Sequence, residues 1–302
     1  MIERAVVLAA GLGSRLRPLT RELPKPLVPI GDRPLLQHII EALHRAGVRR
    51  VSINAFHLSS RLTQFVDDLS LPGLHLSCDV ETKLLGTAGG LRGLTGSAVS
   101  PVLVWNADIY APELPLETLL ARAPVAPLLV VAPARRDASV GLDHEGRVVR
   151  LREERFGRET VAACYIGIAV LPPAFLATLP EQGCLVADAL LPWLRAGMPV
   201  SSLWFDGFWS DGGTADSYLH QNLRWLAQQN LSALVGEGAE VATAVQLEAS
   251  IVGPRAVVTG HGSLTRCVVW PGARVVAPLR DTVVMSDGTQ VAVAPAPLAS
   301  SI

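Results

Sequence analysis

The 302-residue sequence predicts an α/β fold: a mostly parallel sheet with helices on both faces, followed by a short β-helix. Three observations predict it. Short, unbroken apolar runs alternate with helix-period segments; glycine-rich or acidic stretches follow the apolar runs; and a six-residue apolar period sets in after Leu231.

The run AVVLAA (5–10) has the character of a strand buried on both faces, and Leu35, Leu36, Ile39, Ile40 and Leu43 recur behind it at helical spacing. The step repeats with RVSIN (50–54) and a helix near 58–69, then LHLSCDV (74–80) and GTAGGLRGL, then VLVW (102–105), Asp108 and a helix near 113–122. Alternation of this kind implies right-handed crossovers and parallel pairing. Further along, VAACYIGIAVL (161–171) reads as a strand and 186–196 as a helix. A further strand leads to FWSDGGT (208–214), and a helix runs from about Ala215 to Gln229. Beyond Leu231, Val252, Val258, Leu264, Trp270 and Val276 recur every six residues, as do Val245, Ile251, Val257, Val269 and Val275, with Ser263 as the interruption. Six residues is the period of one side of a β-helix coil. The expected organisation is a catalytic domain over 1–230 and a β-helix over 231–302, ending in a fraying tail, APAPLASSI.

With 26 basic and 27 acidic side chains the sequence carries no bulk charge that would make nucleic acid or a membrane its main partner. Cys78, Cys164, Cys184 and Cys267 lie far apart, without CxxC or zinc-type spacing, which points to free thiols in a reducing, cytoplasmic setting. The first residues have neither the pattern of a signal peptide nor the length to span a bilayer.

The stretch LAAGLGSRLRPLTRELPKPLVPI (8–30) combines two glycines, three arginines, one lysine and four prolines. A dinucleotide fingerprint would need glycine where Leu16 stands, and the GK[ST] of a P-loop is absent. The logic of a phosphate cradle survives, because Gly11 and Gly13 let consecutive backbone N–H groups turn toward an anion. Lys25, set between Pro24 and Pro26, is carried on stiff backbone, as a lysine that must meet a phosphate in one geometry requires. Asp108, in VLVWNAD, and Asp211, in FWSDGGT, each close a strand-like run. Two carboxylates meeting across a crevice suffice for Mg2+, whose other ligands are phosphate oxygens and water. In parallel sheets that crevice lies at the carboxyl ends of the strands, where the opening stretch, Thr87–Gly90 and Asp108 all fall.

These motifs, LAAGLGSRLRPLT with PKPLVPI, LGTAGG (85–90), NAD (106–108) and FWSDGGTADSY (208–218), resemble those of the sugar-1-phosphate nucleotidyltransferases over about residues 1–230. The resemblance implies a Rossmann-like catalytic domain, a short left-handed β-helix behind it, and a Mg2+-dependent reaction. A sugar-1-phosphate oxygen would attack the α-phosphorus of a nucleoside triphosphate, with pyrophosphate leaving and no general base needed. It further implies that Leu8, Ala10, Gly11, Gly13, Ser14 and Arg15 hold the nucleotide, with Glu81, Gly86, Thr87 and Ala88 bordering the base. Lys25, Asn106, Arg155 and Gly167 would hold the sugar phosphate, and Asp108 with Asp211 the Mg2+. Arg15, Lys25, Asp108 and Asp211 are thus the expected catalytic set. The sequence departs from the family where many members carry Glu-Lys-Pro: here stands LREERFG (151–157), so Arg155 or Arg152 would replace the lysine.

The motif style is closest to guanylyltransferases acting on mannose 1-phosphate. The alternatives are a uridylyltransferase on an amino-sugar 1-phosphate such as N-acetylmuramate 1-phosphate, and a silent regulatory subunit that senses a nucleotide sugar. An added acetyltransferase function is weakened by the few coils and by His261, the sole histidine there. A homo-oligomer assembled through the β-helix is expected, and truncation after Leu231 should disturb assembly while leaving the chemical step.

Overall fold

The computed structural model describes residues 2–122, 124–134 and 138–293. APAPLASSI lies outside them. The chain divides into two compact units, Met1–Leu12 with His38–Trp209, and Gly13–Gln37 with Ser210–Ile302.

The first unit is built on a ten-stranded sheet. Strands Val102–Asn106, Arg4–Leu8, Arg50–Ala55 and His75–Val80 lie side by side in that order, all parallel. Their carboxyl ends therefore share one edge, and Ala9, Glu81 and Ala107 each begin a loop there. Their apolar runs are buried, as expected of strands covered on both faces: Val6, Val51, Ile53, Leu103 and Val104 are fully enclosed. Helices Ser59–Asp68 and Gly86–Thr95 make the crossovers.

The expectation of a mostly parallel sheet holds for this half alone. Strand Val161–Leu171 runs antiparallel to Val102–Asn106, Leu128–Pro133 and Val140–Leu142, and Val148–Leu151 with Glu154–Arg155 continues that antiparallel edge. Only Ser201–Trp204 joins it in parallel, beside Leu128–Pro133. The reason is loop length. Parallel neighbours need a crossover of a dozen or more residues, whereas the tight turns between 140 and 160 permit only hairpins. Two predicted helices are also altered by proline. The one near 113–122 contracts to Leu116–Leu120 behind Pro115, and that near 186–196 is a π-helical Leu185–Leu190 running into Leu191–Arg195, where Pro192 supplies no N–H.

In the second unit the Gly13–Gln37 segment carries a small hairpin, Pro29–Ile30 with Arg33–Pro34. Helix Ala215–Gln228 begins with a capping box: Ser217 N donates to Thr214 Oγ1 (3.2 Å) and Thr214 N to Ser217 Oγ (3.0 Å). Behind it the strands stack in parallel at an offset of seventeen residues: Ala233 on Ser250, Glu240 on Val257, Val245 on Gly262, Ile251 on Val268, Val257 on Arg274. A strict six-residue period would give coils of eighteen, so it drifts by one residue per coil. Val252, Val258, Leu264 and Trp270 are accordingly buried, but Val276 is 64% exposed and Val275 has taken its place inside. Corners recur at the same interval, with Gly238, Arg255 and Gly272 all at positive φ. In the last coil the offset falls to fifteen, Leu264 on Leu279, and the surplus residues bulge at Gly260–Ser263, leaving His261 exposed. The antiparallel strand Gln290–Ala292 closes the stack.

Candidate active site

The strand edge of the first unit assembles a hydrogen-bond chain that starts in the opening motif. Ala9 N donates to Asn54 Oδ1 (2.7 Å), Asn54 Nδ2 to Glu81 Oε1 (2.7 Å), and Leu85 N to Glu81 Oε2 (3.0 Å). Asn54 is almost fully buried, and a polar side chain so placed is kept by its partners. Glu81 thus has both oxygens oriented from within, with lone pairs left to accept from a donor edge. The sequence reading does not single out Asn54, although an asparagine near the end of a buried strand is itself a signal.

Beside this chain the LGTAGG segment closes on a distant loop. Ala88 N donates to Gly183 O (2.9 Å), Gly183 N to Leu85 O (2.8 Å), and Leu185 N to Thr87 Oγ1 (2.7 Å). Ala88, expected at the base, is fully buried and its N–H is already committed to Gly183 O. Gly86 has φ +73°, and a Cβ there would stand 2.3 Å from Gly183 O; one on Gly89 would stand 2.4 Å from Glu181 O. These glycines serve the approach of two backbones. Gly86→Ala is therefore expected to destabilise the protein by roughly 3 kcal/mol or more, combining overpacking with an unfavourable φ, as a clear fall in melting temperature. An unchanged melting temperature would contradict it.

Leu8 and Asn106 are register partners on adjacent parallel strands, and Leu8 O accepts from Ala107 N (3.0 Å). The turn that follows is pinned twice, by Ile109 N to Asn106 O (3.0 Å) and Trp105 Nε1 to Ile109 O (3.0 Å), so that the half-exposed Asp108 is held on rigid backbone. Gly167 sits at an irregularity of its strand with φ +83°, and its Cα faces the Asn106 amide so closely that a Cβ would lie 2.6 Å from Nδ2. Asn106 and Gly167 are thus brought together as expected. Nearby, burial pushes the Tyr165 phenol above its ordinary pKa.

Arg155 is not brought to them. Its register runs through Arg150 and Gly141 to Ala162, three strands across and five residues along from Gly167, which separates the two Cα atoms by about 20 Å. Its guanidinium lies 3.8 Å from Glu159, whose carboxyl is held below the usual range by hydrogen bonds from Arg150. Arg152, the runner-up, instead reaches Cys184 Sγ (3.6 Å), next to the residue that donates to Thr87.

In the second unit, Gly13 adopts φ +60° and its carbonyl accepts from Thr20 Oγ1 (2.8 Å) and from Leu16 N (3.1 Å), which folds Ser14–Leu16 into one 3-10 turn. Gly11, the last-but-one residue of the first unit's opening segment, has ordinary φ and open space where a Cβ would be, so it is not the residue that shapes the turn. Ser14 and Arg15 are exposed; Ala10 is buried. Lys25 begins a second 3-10 turn and is only 8% exposed, with Nζ donating to Asp211 O at 2.6 Å. Asp211 Oδ1 accepts from Gly213 N (3.1 Å), and Oδ2 lies 3.6 Å from Arg15 Nη2. Both members of this ion pair are substantially exposed, and such a pair is worth at most about 1 kcal/mol.

The Nucleotidyl transferase family profile matches residues 4–228. The chain belongs to this family. Its relatives include probable mannose-1-phosphate guanylyltransferase 1 of Oryza sativa subsp. japonica, 30% identical over 301 residues, 90% of this chain and 82% of that protein. The mannose-1-phosphate guanylyltransferase catalytic subunit beta of Danio rerio is 28% identical, over 76% of this chain and 68% of that one. Among solved structures, HddC from Yersinia pseudotuberculosis complexed with GMP-PN matches with a TM-score of 0.62 at 20% identity, over 74% of this chain and all of that one. A UDP-glucose pyrophosphorylase complexed with UDP-glucose matches with a TM-score of 0.62 at 18% identity, over 76% and 100%. At those identities the two structures speak to fold: this nucleotidyltransferase has the mixed α/β architecture they share. It is an enzyme of the sugar-1-phosphate nucleotidyltransferase kind. No helix among the described residues of the nucleotidyltransferase is long and apolar enough to cross a membrane.

Proposed function

We propose that the enzyme joins GTP to mannose 1-phosphate, or a closely related sugar, giving the nucleoside diphosphate sugar and pyrophosphate. The observation that carries the reading is the cluster of Arg15, Lys25 and Asp211 on short, pinned turns. The relatives named as guanylyltransferases favour guanine and mannose.

In this reading the turn at Gly13–Arg15 binds the triphosphate. The Arg15–Asp211 pair is weak enough for the guanidinium to exchange its carboxylate for a phosphate, where it clamps with two parallel hydrogen bonds. Lys25 faces the transferring phosphoryl group and the sugar phosphate; Glu81 and Thr87 border the base; Asn106 and Gly167 border the sugar. Asp108 and Asp211, each a hard oxygen donor and partly exposed, are the Mg2+ ligands in this reading. That donor set suits Mg2+, which takes one or two carboxylates and fills its shell with water and phosphate oxygens. When bound, the ion neutralises charge on the phosphates. The sugar phosphate is already an anion, so its oxygen attacks the α-phosphorus in line, the bond to the β-phosphate breaks, and pyrophosphate departs. Orientation and charge supply the catalysis. Cys78, Cys164, Cys184 and Cys267 form no disulfide, which favours a cytoplasmic setting, and left-handed winding of the coils with self-association through them completes the reading.

A pyrophosphate-release assay over a matrix of nucleoside triphosphates and sugar 1-phosphates tests it. GTP with mannose 1-phosphate is expected to give the highest kcat/KM. A maximum with UTP and an amino-sugar 1-phosphate would reassign the substrate, and no turnover with GTP and any sugar 1-phosphate would overturn the proposed specificity.

A further inference from the structure

Tyr218, Gln221, Asn222 and Trp225 stand at i, i+3, i+4 and i+7 of helix Ala215–Gln228, hence on one face, and all four are buried. Both charged turns of the second unit end on that face. Gln221 Nε2 donates to Ser210 O (3.1 Å), steadying the turn that carries Asp211. Tyr218 Oη donates to Pro29 O (2.6 Å), and Asn222 Oδ1 accepts from Gly31 N (2.9 Å). Gly31 lies flat on Trp225, with room for no side chain: a Cβ would be 2.2 Å from the indole. Pro29 is four residues from Lys25. The span between them contains a 3-10 turn and Pro26, with Leu27 N bonded to Pro24 O (2.8 Å) and Val28 N to Lys25 O (3.2 Å), so it transmits displacement with little give.

The other side of Tyr218 meets the coil region. Tyr218 Oη accepts from Trp270 Nε1 at 3.0 Å, and the rings pack edge to face with centroids 6.5 Å apart. Trp270 is 1% exposed and sits between strands Val257–Val269 and Arg274–Val284. The order Trp270 N–H, Tyr218 O–H, Pro29 C=O uses the hydroxyl once as acceptor and once as donor.

We infer that Trp270 and Tyr218 are positioning residues for Lys25: the coil region, through this relay, fixes the segment that carries the ammonium. The inference rests on the role given to Lys25 above. It reverses the expectation that truncation after Leu231 spares the chemical step, because truncation removes Trp270.

The test compares kcat and KM of the wild type, Tyr218→Phe, Lys25→Ala and the double variant, at high enzyme concentration so that percent-level rates are read. Tyr218→Phe keeps the ring and removes both hydrogen bonds. It is expected to lower kcat about tenfold with the nucleotide KM little changed, and to add almost nothing in the Lys25→Ala background. Equal losses in both backgrounds, or a wild-type kcat in Tyr218→Phe, would overturn the relay. Should Tyr218→Phe fail to fold, Trp270→Phe puts the same question from the other end, with the same two outcomes. A wild-type rate in Lys25→Ala would overturn the role of Lys25 itself, whereas a slow Lys25→Ala beside a normal Tyr218→Phe overturns only the relay.

Discussion

Lys25→Ala is expected to lower kcat by about 10^2-fold or more, with a much smaller rise in the KM for nucleotide. The side chain is buried where lysine is rarely buried, and the prolines on either side set its direction before any ligand arrives. In the role proposed for it, an ammonium fixed in that way has its geometry set in advance, and loses little on meeting the charge that builds as the α-phosphorus is attacked. Alanine retains the Cβ against which Gly13 packs, at 3.2 Å from the position of a Gly13 Cβ, so the fold should persist. Steady-state kinetics beside a melting curve reads this. A change confined to KM would mean that Lys25 binds ground state and transition state alike.

Asp108→Asn and Asp211→Asn are each expected to cost at least about 10^2-fold in turnover, and to raise the Mg2+ concentration needed for half-maximal rate. Asparagine is the sharper probe than alanine. At position 211 it keeps an oxygen to accept from Gly213 N, and at 108 it leaves intact a turn that is pinned through the Trp105 indole and the Asn106 carbonyl. What changes is charge. A Mg2+ titration of both variants with unaltered midpoint and rate would exclude these carboxylates as ligands.

How much of this was legible in the sequence depended on how far a residue's role reaches. The parallel strands and the loops at their carboxyl ends were legible, because burial on both faces leaves an unbroken apolar run and ligand loops follow such strands. The stiff backbone under Lys25 was legible for a similar local reason, its flanking prolines. The commitment of the Ala88 N–H was not legible, because its partner Gly183 O lies almost a hundred residues away and nothing near position 88 announces it. Arg155 stands apart from Asn106 and Gly167 because strand pairing sets it three strands across from Gly167, although only twelve residues separate the two in sequence. Trp270 was legible only as one member of a hydrophobic period. Its indole N–H, the atom that matters for Lys25, has no signature in such a repeat.

The seventeen-residue offset of the coils limits how this part of the chain can change in length. The positive-φ corners Gly238, Arg255 and Gly272 stack coil on coil, with Arg255 N donating to Glu237 O (3.0 Å) and Gly272 N to Pro254 O (2.9 Å). An insertion of six residues would satisfy the apolar rhythm of one side and yet bring every later corner against a strand. Duplication of a complete coil would leave each corner seated on a corner. Lengthening is therefore quantised, and shortening is absorbed only where a bulge such as Gly260–Ser263 releases the difference into solvent.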